Sequence, residues 1–125
     1  MLAGAGPSQA AGSTIHGCPS GAVCVYPENA GWNGDRPSLE FWSYGPHNLS
    51  NQYGHHYVLN NQTDETFPDG GWAAAMAGGY TGYNATGSLS WTLINYIHRG
   101  AGGYAASANL DLTPINSIDL WITGP

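Results

Sequence analysis

Residues 17–34, with the sequence GCPSGAVCVYPENAGWNG, constrain the fold of this chain more than any other stretch. They contain both cysteines, a short β-branched run at 22–26 and a turn rich in proline, asparagine and glycine. A β-branched run with turn residues on both sides is typical of a strand. The stretch therefore predicts a first strand that ends in a sharp turn and delivers Trp32 to the core.

The composition fits short strands throughout. The chain has 125 residues, which is enough for one domain with a modest core. It contains nineteen glycines and eight prolines beside five tryptophans, eight tyrosines and two phenylalanines. Glycine and proline supply tight turns, and aromatic residues suit a pleated, half-buried surface. With 42% hydrophobic residues the chain is not expected to be disordered, and a single all-β domain is predicted.

The excess of acidic over basic residues limits the kinds of partner that the chain is expected to bind. Eight acidic residues stand against only Arg36 and Arg99, and the formal net charge is −6. Binding to phosphates requires a stripe of lysine and arginine that this chain lacks. No apolar run approaches the roughly 20 residues of a membrane-spanning helix. We therefore expect neither nucleic acid nor a membrane as a partner.

Cys18 and Cys24 indicate the compartment. Five residues separate them, which does not match the CxxC spacing of zinc or thioredoxin-like redox sites. A disulfide is favoured over two free thiols, and it implies an oxidising compartment. Residues 1–16 resemble the small-residue stretch around or after a signal-peptide cleavage site. The sequence therefore predicts a secreted, extracellular protein with a flexible tail at 1–16 and one domain at 17–125.

Alternation of apolar and polar residues predicts the later strands. They are expected at 39–44, 55–62, 72–80, 88–97 and 117–122, with a polar loop at 45–54. The alanines of 72–80 also fit the start of a helix, but the flanking glycine pairs leave too few residues for a stable one.

Two segments repeat in order. The motif AGWNG at 30–34 is echoed by TGYNA at 81–85, and each is followed by a polar-then-apolar strand, HHYVLNNQ or NSIDLWIT. This pattern predicts a duplication with half-motifs at 17–63 and 70–125.

The segment from Tyr26 through PENAG to Trp32, Asn33 and Gly34 resembles a βγ-crystallin Greek key. A second resemblance is carried by the residues Cys18, Pro19, Gly21, Cys24 and Tyr26. They are similar to the start of small secreted actinobacterial proteins of the βγ-crystallin-like group. That group includes the Streptomyces metalloproteinase inhibitor, which belongs to a peptidase inhibitor family. The closing PINSIDLW resembles the strand that ends a crystallin motif. The resemblance implies an all-β sandwich of two Greek-key motifs. No stretch aligns to an inhibitory reactive site, so inhibition is implied only at the level of the class.

Calcium binding is a weaker implication of the same resemblance. The crystallin ligand pair of asparagine or aspartate is missing from the matching region at 112–117, which reads LTPINS. The chain is therefore expected to use no cofactor. If calcium binds, Glu28, Asn29 and Asp111 are the side chains expected to supply oxygen ligands.

Enzymatic motifs are missing from the sequence. It contains no GxSxG elbow, HExxH pair or phosphate-binding loop, and no spacing supports an acid–base pair among its carboxylates. His47, His55 and His56 are interpreted as surface or internally hydrogen-bonded residues, because adjacent histidines on a strand point to opposite faces. We expect a protein that is not an enzyme, and a loop-built enzyme or toxin stays a third alternative.

The surplus of aromatic residues carries the functional prediction. A core this small does not readily enclose all of them, so a partner-binding surface is predicted from Trp42, Tyr44, Tyr53, His55 and Tyr57. The expected function is a secreted, non-enzymatic module that binds another protein, either a protease as its inhibitor or a larger secreted complex as an adaptor subunit. The alternative is a carbohydrate-binding module that stacks the same aromatic rings on a glycan.

Overall fold

The computed structural model describes residues 13–63, 65–66, 72–95 and 105–122, and only the backbone at 65–66 and 72–73. These residues form ten strands and no helix, so they contain no helix that spans a membrane. The strands are β1 (Val23–Val25), β2 (Leu39–Phe41), β3 (Gly45–Asn48), β4 (His55–Asn60), β5 (Glu65–Thr66), β6 (Trp72–Ala73), β7 (Ala75–Tyr80), β8 (Leu89–Asn95), β9 (Ala106–Asp111) and β10 (Ser117–Ile122). The predicted all-β class is confirmed.

Two four-stranded sheets contain most of the strands. The first sheet has the order β2-β1-β4-β9 and the second has the order β3-β10-β7-β8, and all of their pairings are antiparallel. Each sheet takes three strands from one half of the chain and one from the other. Strand β3 joins the second sheet and β9 joins the first. The two halves are therefore held together by backbone hydrogen bonds as well as by side-chain packing.

The main core lies between the two sheets. Its buried side chains come from both of them and from the connections, an arrangement consistent with a β-sandwich. They are Val23, Val25, Leu49, Val58, Ala77, Leu93, Leu112, Ile115, Ile118 and Leu120. In β1 the two valines face this core while Cys24 faces the other way, which is the period of two expected of a strand.

A second cluster covers the outer face of the first sheet. Here the disulfide loop packs on Cys24 and Leu59, and Trp32 is half-buried against Tyr26 and Tyr57. The centroid of the Trp32 ring lies 5.0 Å from that of Tyr26 and 4.7 Å from that of Tyr57, both in edge-on contacts. Trp32 thus packs on this second cluster rather than between the two sheets, because the β1–β2 connection folds over the outside of the sheet.

The cysteines form the predicted disulfide, with their Cα atoms 5.9 Å apart. Residues 13–16 lie beside it. Ile15 and Cys18 exchange backbone hydrogen bonds, and the Tyr26 hydroxyl donates to the His16 carbonyl at 2.7 Å. Residues 1–12 of the predicted tail lie outside the described residues.

The strand predictions fail at two edges of the sheets. Residues 45–48 were expected in a loop but form β3, because β10 supplies a partner from far along the chain. Strand β9, which pairs with β4, lies in a segment for which no strand is predicted, since its sequence ASANLD lacks β-branched residues. Strand β2 ends at Phe41 rather than at Tyr44.

Three buried amides join the sheets at one end of the core. The Asn60 side chain of β4 donates to the carbonyl oxygens of Ala75 and Leu93 in the second sheet, at 3.2 and 2.9 Å. Its own side-chain oxygen accepts from the Gln62 side chain at 3.0 Å. Asn95 in turn donates to the carbonyl oxygens of Asn60 and Gln62. Each amide has partners, which is the condition for burying such groups at little cost.

Candidate functional site

Large aromatic side chains are exposed at two places on the surface. Trp42 and Tyr44, just after β2, have 54% and 57% of their surfaces exposed, and we call this pair the Trp42 surface. Tyr53 and Tyr83 are exposed to a similar degree, at 59% and 56%. Burial of such residues in a partner releases a large apolar area, so these are the first places to seek a binding site.

The disulfide loop supports the Trp42 surface. A Cβ atom added to Gly21 would lie 3.3 Å from Cζ3 of the Trp42 ring, so the ring rests on the backbone of this loop. The loop is itself fixed, because the Gly21 amide donates to the Asn61 carbonyl at 2.8 Å and the disulfide closes it. The Trp42 ring is therefore exposed on one side and packs against Gly21 of the disulfide loop on the other.

Tyr53 and Tyr83 flank a polar cleft, which we call the Tyr53–Tyr83 cleft. It has a volume of about 100 Å³ and is lined by residues 49–53, Tyr83, Thr113, Ile115 and Asn116. Enclosed sites for small molecules are usually larger, at roughly 300–1,000 Å³. The cleft is therefore suited to one edge of a ligand rather than to a whole enclosed molecule.

Hydrogen bonds within the lining fix the cleft. The Asn116 side chain donates to the Thr81 carbonyl at 2.8 Å, and the Leu49 amide donates to the Asn116 carbonyl at 2.9 Å. The Thr113 hydroxyl accepts from the Gly54 amide at 2.8 Å. These bonds join three connections of the chain at one place, so the amide and hydroxyl groups of the lining are presented on a shared frame.

The two exposed groups lie at opposite ends of β1. Trp42 follows Phe41, which pairs with Val23 at the start of β1. At the other end, the Tyr26 amide donates to the Tyr57 carbonyl, and Tyr53 precedes this part of β4. The exposed aromatic residues of the predicted set, Trp42, Tyr44 and Tyr53, are therefore divided between two surfaces.

Tyr57 and His55 have different surroundings from the exposed tyrosines. Tyr57 is half-buried and its ring packs edge-on against Trp32. His55 is exposed and pairs in register with Asp111 of β9. Tyr57 thus has a packing role within the second cluster, and His55 lies at the start of β4 near Tyr53.

The three calcium candidates lie around Gly54 and His55. A Cβ on Gly54 would lie 2.1 Å from Oε2 of Glu28, and the Asn29 amide donates to the His55 carbonyl at 2.9 Å. The Thr113 amide and hydroxyl, and then His55, lower the pKa of Asp111. Among the described residues, no group of three or more histidine, cysteine, aspartate or glutamate side chains is placed to hold a metal ion.

The neighbouring histidines point to opposite faces, as predicted. His55 is exposed, whereas His56 is buried and contacts two carbonyl oxygens, with Nδ1 2.6 Å from Tyr26 and Nε2 2.8 Å from Tyr53. The ring of His47 stacks on Phe41 with centroids 4.7 Å apart. His47 and His56 thus both contact other residues of the chain, in line with the interpretation of the sequence.

Comparison of the chain with protein-family models, with curated proteins and with solved structures finds no match.

Sequence reasoning missed Tyr83 as a candidate binding residue. It belongs to the TGYNA echo of AGWNG, where it occupies the place of Trp32. Trp32 is half-buried in the second cluster, while Tyr83 is exposed beside the cleft. The two copies differ because the ring of His16 stacks on Trp32, with centroids 4.0 Å apart, whereas Tyr83 lies beside the open cleft.

Proposed function

We propose that this protein is a secreted, non-enzymatic module that binds another protein through the Trp42 surface, as an inhibitor or as an adaptor subunit of an extracellular assembly. The observation that carries the proposal is the contact of an exposed tryptophan ring with Gly21 in the disulfide loop. Tryptophan is enriched among the residues that dominate binding energy in protein interfaces. A ring that already packs against the protein loses less entropy on binding than a free one, so more of its burial contributes to affinity.

We propose further that the fold is a pair of βγ-crystallin-like Greek-key motifs. The strand orders support this, because β2-β1-β4 and β8-β7-β10 are matching arrangements, each completed by a strand from the other half. The backbone of the repeat supports it too, since Asn33 and Asn84 hold equivalent left-handed conformations with φ of 52° and 57°. Export is supported by the disulfide between Cys18 and Cys24.

The test begins with affinity purification from the native secreted fraction, followed by mass-spectrometric identification of what co-elutes. Affinity for the purified partner is then measured with Trp42→Ala and Tyr44→Ala. We expect each to weaken binding by about tenfold or more, because a truncated interface anchor costs upwards of about 1.4 kcal/mol.

Ile94→Ala is the matched control. Ile94 is also an exposed apolar residue, but it lies on β8 in the second sheet. Its substitution is expected to leave the affinity unchanged. Affinity unchanged in Trp42→Ala, with the domain still folded, would reject the Trp42 surface as the contact.

A second candidate function is carbohydrate binding at the Tyr53–Tyr83 cleft. Two exposed tyrosines flank a lining of amide and hydroxyl groups, and a sugar offers both hydroxyls for hydrogen bonding and a ring face for stacking. The small volume favours contact with one edge of a glycan chain.

Sedimentation with insoluble cellulose and chitin, and titration with their soluble oligosaccharides, tests this second function. Tyr53→Ala and Tyr83→Ala are expected to abolish retention, while Tyr44→Ala, at the opposite end of β1, is expected to retain it. Failure of the unmodified protein to bind any of these glycans would count against the glycan hypothesis and leave the protein-binding proposal intact.

A further inference from the structure

His56 joins the backbone at Tyr26 to the backbone at Tyr53. Its ring is buried, with 4% of its surface exposed, and each ring nitrogen faces a carbonyl oxygen. A carbonyl oxygen only accepts hydrogen bonds. A neutral imidazole has one nitrogen that donates and one that accepts, whereas an imidazolium donates from both. The two contacts, at 2.6 and 2.8 Å, are therefore both hydrogen bonds only when the ring is protonated.

The charged groups near His56 lie on the elements around it. The Glu28 carboxylate of the β1–β2 connection packs against Gly54, and His55 and Asp111 pair in register on the opposite face of the sheet. The Tyr26 phenol donates to the His16 carbonyl, and the phenols of Tyr53 and Tyr57 lie on either side of His56 in the sequence. Among the described residues no ion pair involves His56. The two carbonyl oxygens are its direct polar contacts.

Loss of one proton from the ring would break one of the two contacts, because a nitrogen lone pair would then face a carbonyl oxygen. The contact with Tyr26 lies in a fixed place, since Tyr26 is fully buried and its amide bonds to the Tyr57 carbonyl at 2.9 Å. Tyr53 lies in the exposed connection between β3 and β4, after Asn51, which holds a positive φ of 60°. The Tyr53 contact is therefore the one expected to open, and the opening would disturb the bonds that join the Gly54 amide and carbonyl to the Thr113 hydroxyl and the Leu112 amide.

We propose that His56 is a proton-dependent positioning residue that holds Tyr53 at the rim of the Tyr53–Tyr83 cleft, so that the cleft binds its ligand more weakly when the ring is neutral. This inference rests on the proposed carbohydrate-binding function of the cleft. The positioning role itself is measurable without any ligand, which separates the two.

The first experiment follows the ring and the connection together by NMR, from about pH 5 to about pH 8, the range in which histidine commonly titrates. The nitrogen chemical shifts of His56 report which nitrogens carry hydrogen. We expect both to be protonated at the lower pH and one at the higher. Protection of the Gly54 amide against hydrogen exchange, corrected for intrinsic exchange, is expected to fall about tenfold over the same change, in keeping with the loss of one charge-assisted hydrogen bond.

Two variants provide controls. His55→Gln removes an exposed histidine beside the same connection, and we expect the pH-dependent change at Gly54 to persist. His56→Gln cannot form an imidazolium, and we expect the change to disappear. Because the titration of the unmodified protein decides the matter alone, failure of His56→Gln to fold does not weaken the test.

A single protonated nitrogen throughout the pH range, or a titrating ring with an unchanged Gly54 amide, would overturn the positioning role. The second experiment measures binding of soluble chitin and cellulose oligosaccharides at the two pH values, and about tenfold weaker binding is expected at the higher one. If the NMR experiment shows the expected change at His56 and Gly54 but neither glycan binds, the proposed cleft function and the predicted pH dependence of affinity are overturned. The role of His56 in positioning Tyr53 then stands.

Discussion

The side-chain amide of Asn60, in the first sheet, donates a hydrogen bond to the backbone carbonyl of Leu93, in the second sheet, at 2.9 Å. The contact crosses the interior of the sandwich, where both residues are buried. Asn60 also accepts from Gln62 and donates to Ala75, so one side chain holds together three backbone segments and a neighbouring amide. A polar group with this many buried partners specifies how the two sheets face each other.

Asn60→Ala is expected to lower the free energy of unfolding by about 3 kcal/mol, because it leaves the buried Leu93 carbonyl and the Gln62 amide without their partners. Urea denaturation followed by tryptophan fluorescence measures the change. Asn109→Ala is the control, since Asn109 is exposed on β9, and a change within about 0.5 kcal/mol is expected there. Equal effects of the two substitutions would refute a special role for the buried amide.

Removal of the disulfide by replacing Cys18 and Cys24 together with alanine is expected to cost about 2 kcal/mol, the loop-closure entropy of a short cross-linked loop. Intact mass under non-reducing conditions establishes the bond in the unmodified protein. Since Gly21 in this loop backs the Trp42 ring, partner affinity is expected to fall in the same variant. Affinity that survives loss of the bond would show that the loop does not need it to hold Trp42.

The titration of Tyr26 predicts a loss of stability in alkali. Burial of the phenol, with smaller effects of the charges on Asp35 and Glu40, raises the pKa of Tyr26 to about 12. A tyrosine in the unfolded chain has a pKa near 10. Between these values the unfolded chain has already lost a proton that the folded chain keeps, so stability is present below about pH 10 and is lost as the pH rises toward about 12.

Unfolding free energies measured across this alkaline range test the prediction. Tyr26→Phe cannot ionise, so the part of the alkaline loss that belongs to Tyr26 is expected to vanish, although the hydrogen bond to the His16 carbonyl is also removed. Tyr83→Phe alters an exposed tyrosine and serves as the control. An identical alkaline profile in Tyr26→Phe and in the unmodified protein would contradict the assignment.

Alanine substitutions at Gly17 and Gly31 distinguish the cost of a steric clash from the cost of backbone strain alone. Both have positive φ, of 76° and 54°, which side chains other than glycine adopt at a cost. A Cβ on Gly17 would lie 1.8 Å from the Asp35 carbonyl oxygen, whereas a Cβ on Gly31 would meet nothing within 4 Å. We expect Gly17→Ala to cost about 3 kcal/mol or more and Gly31→Ala about 1 kcal/mol in unfolding free energy. Similar costs would mean that the β1–β2 connection shifts freely to relieve the contact.

The candidate site was only partly predictable from the sequence. The excess of aromatic residues predicted that Trp42, Tyr44 and Tyr53 belong to a binding surface, and all three are exposed. Their division between two ends of the sandwich depends on strand register, which has no local signal in a sheet built from distant segments. Tyr83 was missed for the same reason, because its exposure depends on what the rest of the chain leaves uncovered.

By itself the sequence determined the local features of this protein. The β-branched run of β1, the alternation in β8 and the closeness of Cys18 to Cys24 are properties of neighbouring residues, and they produced the all-β class, most of the strands and the disulfide. Only the tertiary structure decided that residues 45–48 and 106–111 become edge strands in the sheet of the other half, and that His56 faces two carbonyl oxygens. These features depend on contacts between residues far apart in the chain, whose free energy is realised only when the two sheets come together.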